Sequence, residues 1–174
     1  MSAKCEIIPP QPKPARSGRL PEGWRLHPFL CGLSKEHLDK LEQCARLTQF
    51  KAGQAIVKQG EMANRFYLIL EGHVEIRLAP DECGSLPVDN IYNGGVLGWS
   101  WAFPPEATHF SARAVEATRA IFLYGTWLRD QCERDREFGY ELVKRVAVVM
   151  IKRVEALQRQ IGRAEKERLK HEMD

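Results

Sequence analysis

Phe66-Tyr-Leu-Ile-Leu-Glu-Gly-His-Val-Glu-Ile76 joins two kinds of strand across a single glycine. Arg65 to Leu70 is an unbroken apolar run after its first residue, the pattern of a strand covered on both faces. His73-Val-Glu-Ile-Arg-Leu78 alternates polar and apolar, the two-residue period of a half-buried strand. Gly72 stands between them, where the chain must turn. Working outward, Ala55-Ile-Val57 is short and β-branched, and Gly53 and Gly60 bracket it. Further on, Ala112-Arg-Ala-Val-Glu-Ala117 and Ala120-Ile-Phe-Leu-Tyr124 close the β-region. Asp81 to Asn93 is polar, contains Gly84 and Pro87, and reads as a hairpin loop. Many short strands at even spacing predict a sandwich or barrel-like roll.

Helices flank this region. Ser34 is placed to cap a helix carrying Leu38, Leu41, Cys44 and Ala45. Thr126 is placed to cap a short helix through Glu133, and Asp135 a second one running to about residue 170. Val146, Met150, Val154, Leu157, Ile161 and Ala164 form a near-heptad stripe along it, with Leu142 and Val149 as a second apolar edge. Arg153, Glu155, Arg159, Arg163 and Glu165 are assigned to its outer faces. A helix of this length outruns a small roll, so its distal part calls for a partner helix, and a parallel homodimer answers that need. The resulting division is a Pro-rich arm over 1–25, a roll with flanking helices over 26–134, and a dimerisation helix over 135–174. Trp24, Leu26 and Phe29 are expected to begin the packed structure.

The totals exclude several classes. A net charge of +3 is too small to signal nucleic-acid binding alone. No apolar run is long enough to span a membrane, and no apolar N-terminal stretch reads as a secretory signal, so a cytoplasmic protein is expected. The five cysteines are widely spaced without a C-x-x-C pair, which favours free thiols over a metal site. No motif for a catalytic serine, a Walker loop or a zinc protease occurs, so no enzyme is expected.

His27-Pro-Phe-Leu-Cys-Gly-Leu-Ser34, Phe50-Lys-Ala-Gly-Gln-Ala-Ile-Val-Lys-Gln-Gly-Glu61 and Phe66 to Ile76 together resemble the cyclic-nucleotide-binding domains, in particular the sensory half of the Crp/Fnr-type regulators. The resemblance covers roughly residues 26–165. It implies an α+β fold: an antiparallel, jelly-roll-like β-roll flanked by short N-terminal helices and a long C-terminal helix that commonly dimerises. In those regulators a helix-turn-helix domain follows the helix. Here the chain stops at Asp174, and no such DNA-binding domain is expected.

The resemblance also implies a phosphate-binding cassette, a glycine turn with a glutamate for the ribose and an arginine for the phosphate. The equivalent stretch is Gly94-Gly-Val-Leu-Gly-Trp-Ser-Trp101. Gly94, Gly95 and Gly98 keep the frame. Trp99 stands at the glutamate position, and Thr108 or His109 at the arginine position. Arg113 follows on the next strand, where register decides whether it points in or out. Losing a charge-assisted phosphate contact removes roughly 1.5–3 kcal/mol, about tenfold or more in affinity. Ordinary cyclic AMP or cyclic GMP binding in the usual mode is therefore not expected. Trp99 and Trp101 wall a modified pocket, offer a surface to a partner, or fill the vacated pocket as core; two apart in an extended segment, the indoles would share a face.

Two functions follow. In one, the chain senses a cyclic nucleotide or another small anionic ligand through Gly94, Gly95, Gly98, Trp99, Ser100, Trp101, Thr108, His109 and Arg113, and signals through a homodimer built on Val146, Met150, Val154, Leu157 and Ile161. In the other, the pocket is filled and the chain is a dimeric interaction subunit of a larger assembly, with a protein partner.

Overall fold

The computed structural model describes residues 19–78, 87–105 and 107–173. Most of the Pro-rich arm, residues 1–18, and residues 79–86, which include the first part of the expected hairpin loop, lie outside the described residues. The rest is an α+β roll: two antiparallel four-stranded sheets, one long C-terminal helix and shorter helices around them.

In chain order, α1 (Lys35–Cys44) precedes β1 (Arg46–Phe50), β2 (Ala55–Val57), β3 (Arg65–Glu71), β4 (Val74–Arg77), β5 (Pro87–Ile91), β6 (Val96–Leu97), β7 (Ser111–Ala114) and β8 (Thr118–Tyr124). Helices α2 (Gly125–Arg134) and α3 (Arg136–Met173) follow. One sheet has the order β1-β8-β3-β6 and the other β2-β7-β4-β5.

The two strand patterns follow from what covers each sheet. Phe66 and Leu68 of β3 pack outward with Ile121 and Leu123 against the helices. Tyr67 and Ile69 pack inward with Ala120 and Phe122. Both faces are covered, so β3 reads as an apolar run. In β4, Val74 and Ile76 face the roll interior, while Glu75 and Arg77 form an ion pair on the outer face (2.6 Å). That strand alternates because only one of its faces is covered.

Several expectations change. Residues 87–91 are a strand, β5, paired with β4 from Val74↔Ile91 to Arg77↔Pro87. Polar composition hid it: β5 is an edge strand, where proline, Asp89 and Asn90 are tolerated. Leu26 is 83% exposed, although Trp24 and Phe29 beside it are buried. Thr126 lies inside α2, whose N-cap is Tyr124 without a side-chain cap. Ser34 does cap α1, accepting from the His37 amide (3.2 Å). Asp135 caps α3, accepting from the Phe138 amide (3.0 Å).

Asp135 also binds α3 to α1. It pairs with Lys40, and His37 Nε2 lies 3.8 Å away. Lys40 and the Phe138 amide hold the Asp135 carboxyl below its usual range. Gly139 lets α3 press on α2, since a Cβ there would lie 2.9 Å from the Cys132 carbonyl oxygen.

From Asp135 onward, α3 has two sides. Phe138, Leu142 and Val146 are fully buried in the core between helices and roll, and Val149 packs against it. Tyr140, Val143, Val154, Leu157 and Ile161 are exposed. Val146, at 0% exposure, therefore belongs to the roll face and has no surface for a partner helix. Tyr140, Val143, Ala147, Met150, Val154, Leu157 and Ile161 repeat at three- and four-residue steps, the heptad spacing of a pairing seam.

Candidate functional site

The stretch expected to be the cassette is a turn, a two-residue strand and a 3-10 turn in succession. Gly98 enters the 3-10 turn Trp99–Ala102 with φ 87°. A Cβ at Gly98 would sit 2.1 Å from the Arg65 carbonyl oxygen, so no other residue fits there. At Gly95 a Cβ would meet the Ile91 side chain at 2.4 Å. The glycine frame thus lets the loop lie directly on β3 and β5.

The 3-10 turn separates the two tryptophans. Successive residues in it rotate by about 120°, so positions two apart diverge. Trp101, 1% exposed, goes to the helix-side core, with its ring centroid 5.9 Å from Phe66. Its carbonyl accepts from Arg129 (3.0 Å). Trp99 remains at the roll mouth, touching the roll interior and the helix-side core alike. It stacks on His109 at 6.0 Å and lies 6.3 Å from Phe110. The expectation of a shared indole face is corrected: it assumed an extended segment. Both indole N–H groups are buried and have no acceptor among the described residues.

The remaining candidates divide similarly. Ser100, buried, faces His109 Nδ1 through its hydroxyl (3.1 Å). Thr108 is buried, and its backbone exchanges hydrogen bonds with Glu61 and Gly60 (both 2.8 Å), so this position pins the loop. Arg113 points outward on β7 and lies 3.3 Å from Glu75. No guanidinium thus comes from the loop or from β7 to the roll mouth.

One does come from α3, and sequence reasoning put it on the outer face. Arg153 Nη2 donates to the Val96 carbonyl (2.7 Å). Its Nε lies 3.4 Å from Asp89 Oδ2. Its guanidinium carbon is 6.0 Å from the Phe110 ring centre. Burial pulls its pKa down, and the Asp89 charge works against that. Arg153 continues the row Leu142, Val146, Val149 at four- and three-residue steps, and a cation in an apolar row was the signal available in the sequence.

Beside it opens a cleft of about 930 Å³, bounded by the segment Pro28–Ser34, by β5 with the turn after it, and by α3. Gly94, Gly95, Asp89, Lys152 and Arg153 line it, whereas Trp99, Ser100, Trp101, Thr108, His109 and Arg113 do not. The loop candidates are thereby split between two places.

Comparison with known proteins adds the ancestry. The family model of the cyclic nucleotide-binding domain matches residues 47–135, just over half of the chain. The chain belongs to the cyclic nucleotide-binding domain family. A Geobacter metallireducens GS-15 protein described as a cyclic nucleotide-binding protein is 28% identical, with a TM-score of 0.70 over 77% of this chain and 97% of that one. A cyclic nucleotide-binding domain from Methylobacillus flagellatus KT is 16% identical, with a TM-score of 0.67 over 74% of this chain and 72% of that one. The catabolite activator protein of Thermus thermophilus is 18% identical, with a TM-score of 0.61 over 79% of this chain and 63% of that one. The last two share the fold. No curated protein matches the sequence.

Burial pushes the thiols of Cys44 and Cys132 up to about 12 and about 11, far from nucleophilic thiolates. Among the described residues no cluster of His, Cys, Asp or Glu could hold a metal, and no helix is long and apolar enough to cross a membrane.

Proposed function

We propose that this chain is a non-enzymatic regulatory module that senses a small anionic ligand, a cyclic nucleotide among the candidates, and signals through pairing of α3 with a second copy. The observation that carries this reading is the Arg153 contact. The helix with the heptad-spaced row, exposed except at the half-buried Met150, is tied by a 2.7 Å hydrogen bond to Val96, next to the glycine frame of the candidate loop. A ligand that binds the loop more tightly in one arrangement of this contact would bias the helix toward that arrangement. Gly125 and Gly139 serve close packing: a Cβ at Gly125 would lie 2.7 Å from Trp101. The moving part in this reading is the Arg153 contact itself.

Equilibrium binding of cyclic AMP, cyclic GMP and related nucleotides, read together with sedimentation velocity, tests it. A ligand from the panel that binds and shifts the monomer–dimer balance is the expected result. A chain that stays monomeric at all concentrations, with and without those nucleotides, contradicts it.

A second reading, a ligand-free interaction subunit, is favoured by the packing of Trp99 against Phe103, His109 and Phe110. In that case the chain dimerises and recruits its partner without binding anything from the panel.

A further inference from the structure

We propose that Arg153 is the anion receptor of this domain, supplied by α3, and that Asp89 is its built-in competitor. This deepens the sensing reading above and rests on it for the output, not for the binding.

The case is one of a part-buried cation with few polar partners among the described residues. A guanidinium presents five N–H donors in a planar fork suited to an oxyanion. Arg153 has 18% of its side chain exposed. It spends one donor on the Val96 carbonyl and faces a single carboxylate oxygen of Asp89 at 3.4 Å. That separation is an ion pair, longer than a charge-assisted hydrogen bond of about 2.7–2.9 Å. Both residues line the 930 Å³ cleft. Lys152, exposed on the same wall, adds a second positive charge. Glu141 lines the wall too, but Lys144 and Arg145 neutralise it. Glu137 is the acidic group left facing the cleft besides Asp89.

A bidentate oxyanion, free phosphate or the phosphodiester of a nucleotide, would take the fork from Asp89. The position is not the cassette's. Thr108 and His109, the expected arginine positions of the loop, do not line this cleft, whereas Arg153 comes from α3. Binding here would engage the output helix directly.

Titration calorimetry with inorganic phosphate, cyclic AMP and cyclic GMP tests this on the full chain. Asp89→Asn removes the competitor but keeps the shape, so the ligand that binds should bind about tenfold more tightly than to wild type. Arg153→Gln should weaken the same ligand tenfold or more. Arg153→Lys keeps the charge but loses the fork, and should fall between, which guards against a folding defect in Arg153→Gln. Binding of phosphate points to a free anion; binding of a cyclic nucleotide without phosphate points to a phosphodiester. Both support the receptor. Equal affinities for wild type and Arg153→Gln overturn it, as does the absence of binding by both wild type and Asp89→Asn. A receptor that binds without changing the oligomeric state would leave this inference standing and remove the output reading.

Discussion

The two halves of α3 are built from the same residue types and have different surroundings. Phe138, Leu142 and Val146 are sealed against the roll, whereas Val154, Leu157 and Ile161 are 54%, 41% and 66% exposed. The helix is 38 residues long, about 57 Å at the usual rise, and the roll covers only its first part. Arg153 marks the changeover, holding the last covered turn to Val96. Burial along this helix is thus set by what lies beside it, and hydropathy alone cannot tell the covered row from the free one.

The sharpest way to break the comparison is to remove one large side chain from the covered half. Phe138→Ala should cost about 3–5 kcal/mol of unfolding free energy in a denaturant titration. A cost under about 1 kcal/mol would mean that α3 is not part of the folded core. The free half should behave in the opposite way. Leu157→Glu combined with Ile161→Glu should leave the stability of the dilute chain within about 0.5 kcal/mol. It should raise the dimer dissociation constant tenfold or more in sedimentation equilibrium.

A smaller effect sharpens the contrast through protons. His27 Nδ1 accepts from the Phe29 amide and its Nε2 lies 3.2 Å from the Ile69 carbonyl, an arrangement that suits the neutral ring with the proton on Nε2. Burial pushes its pKa below the ordinary 6.5. The unfolded chain then takes up a proton that the folded one refuses. The stabilisation is present above 6.5 and is lost as the pH falls from there toward the folded value. His27→Gln should flatten that dependence in unfolding curves between pH 7 and pH 5. Association through the free half of α3 should not respond to this substitution.

The roll was legible because its strands carry two different periods. The run Phe66–Leu70 and the alternation Val74–Arg77 report covered and half-covered sheets directly. Strand β5 was not, because an edge strand with one covered face can be as polar as Pro87-Val-Asp-Asn-Ile91. The cassette stretch was placed by the family resemblance, and two of its glycines, Gly95 and Gly98, sit where a Cβ would meet neighbouring atoms. The directions of Trp99 and Trp101 were missed, because they depend on a 3-10 turn rather than on residue type. Arg153 was legible in principle: it is the one charged member of an apolar row. Its role required knowing that Val96 and Asp89 lie opposite, which is a long-range fact of the fold.

Hydrogen exchange of α3 at two protein concentrations addresses the central claim most directly. Amides from Phe138 to Arg153 should be strongly protected at low and high concentration alike, because the roll covers them. Amides beyond Val154 should exchange fast when dilute and gain protection as the concentration rises, because a second copy covers them. Equal protection of the distal amides at both concentrations, whether fast or slow, would contradict the account.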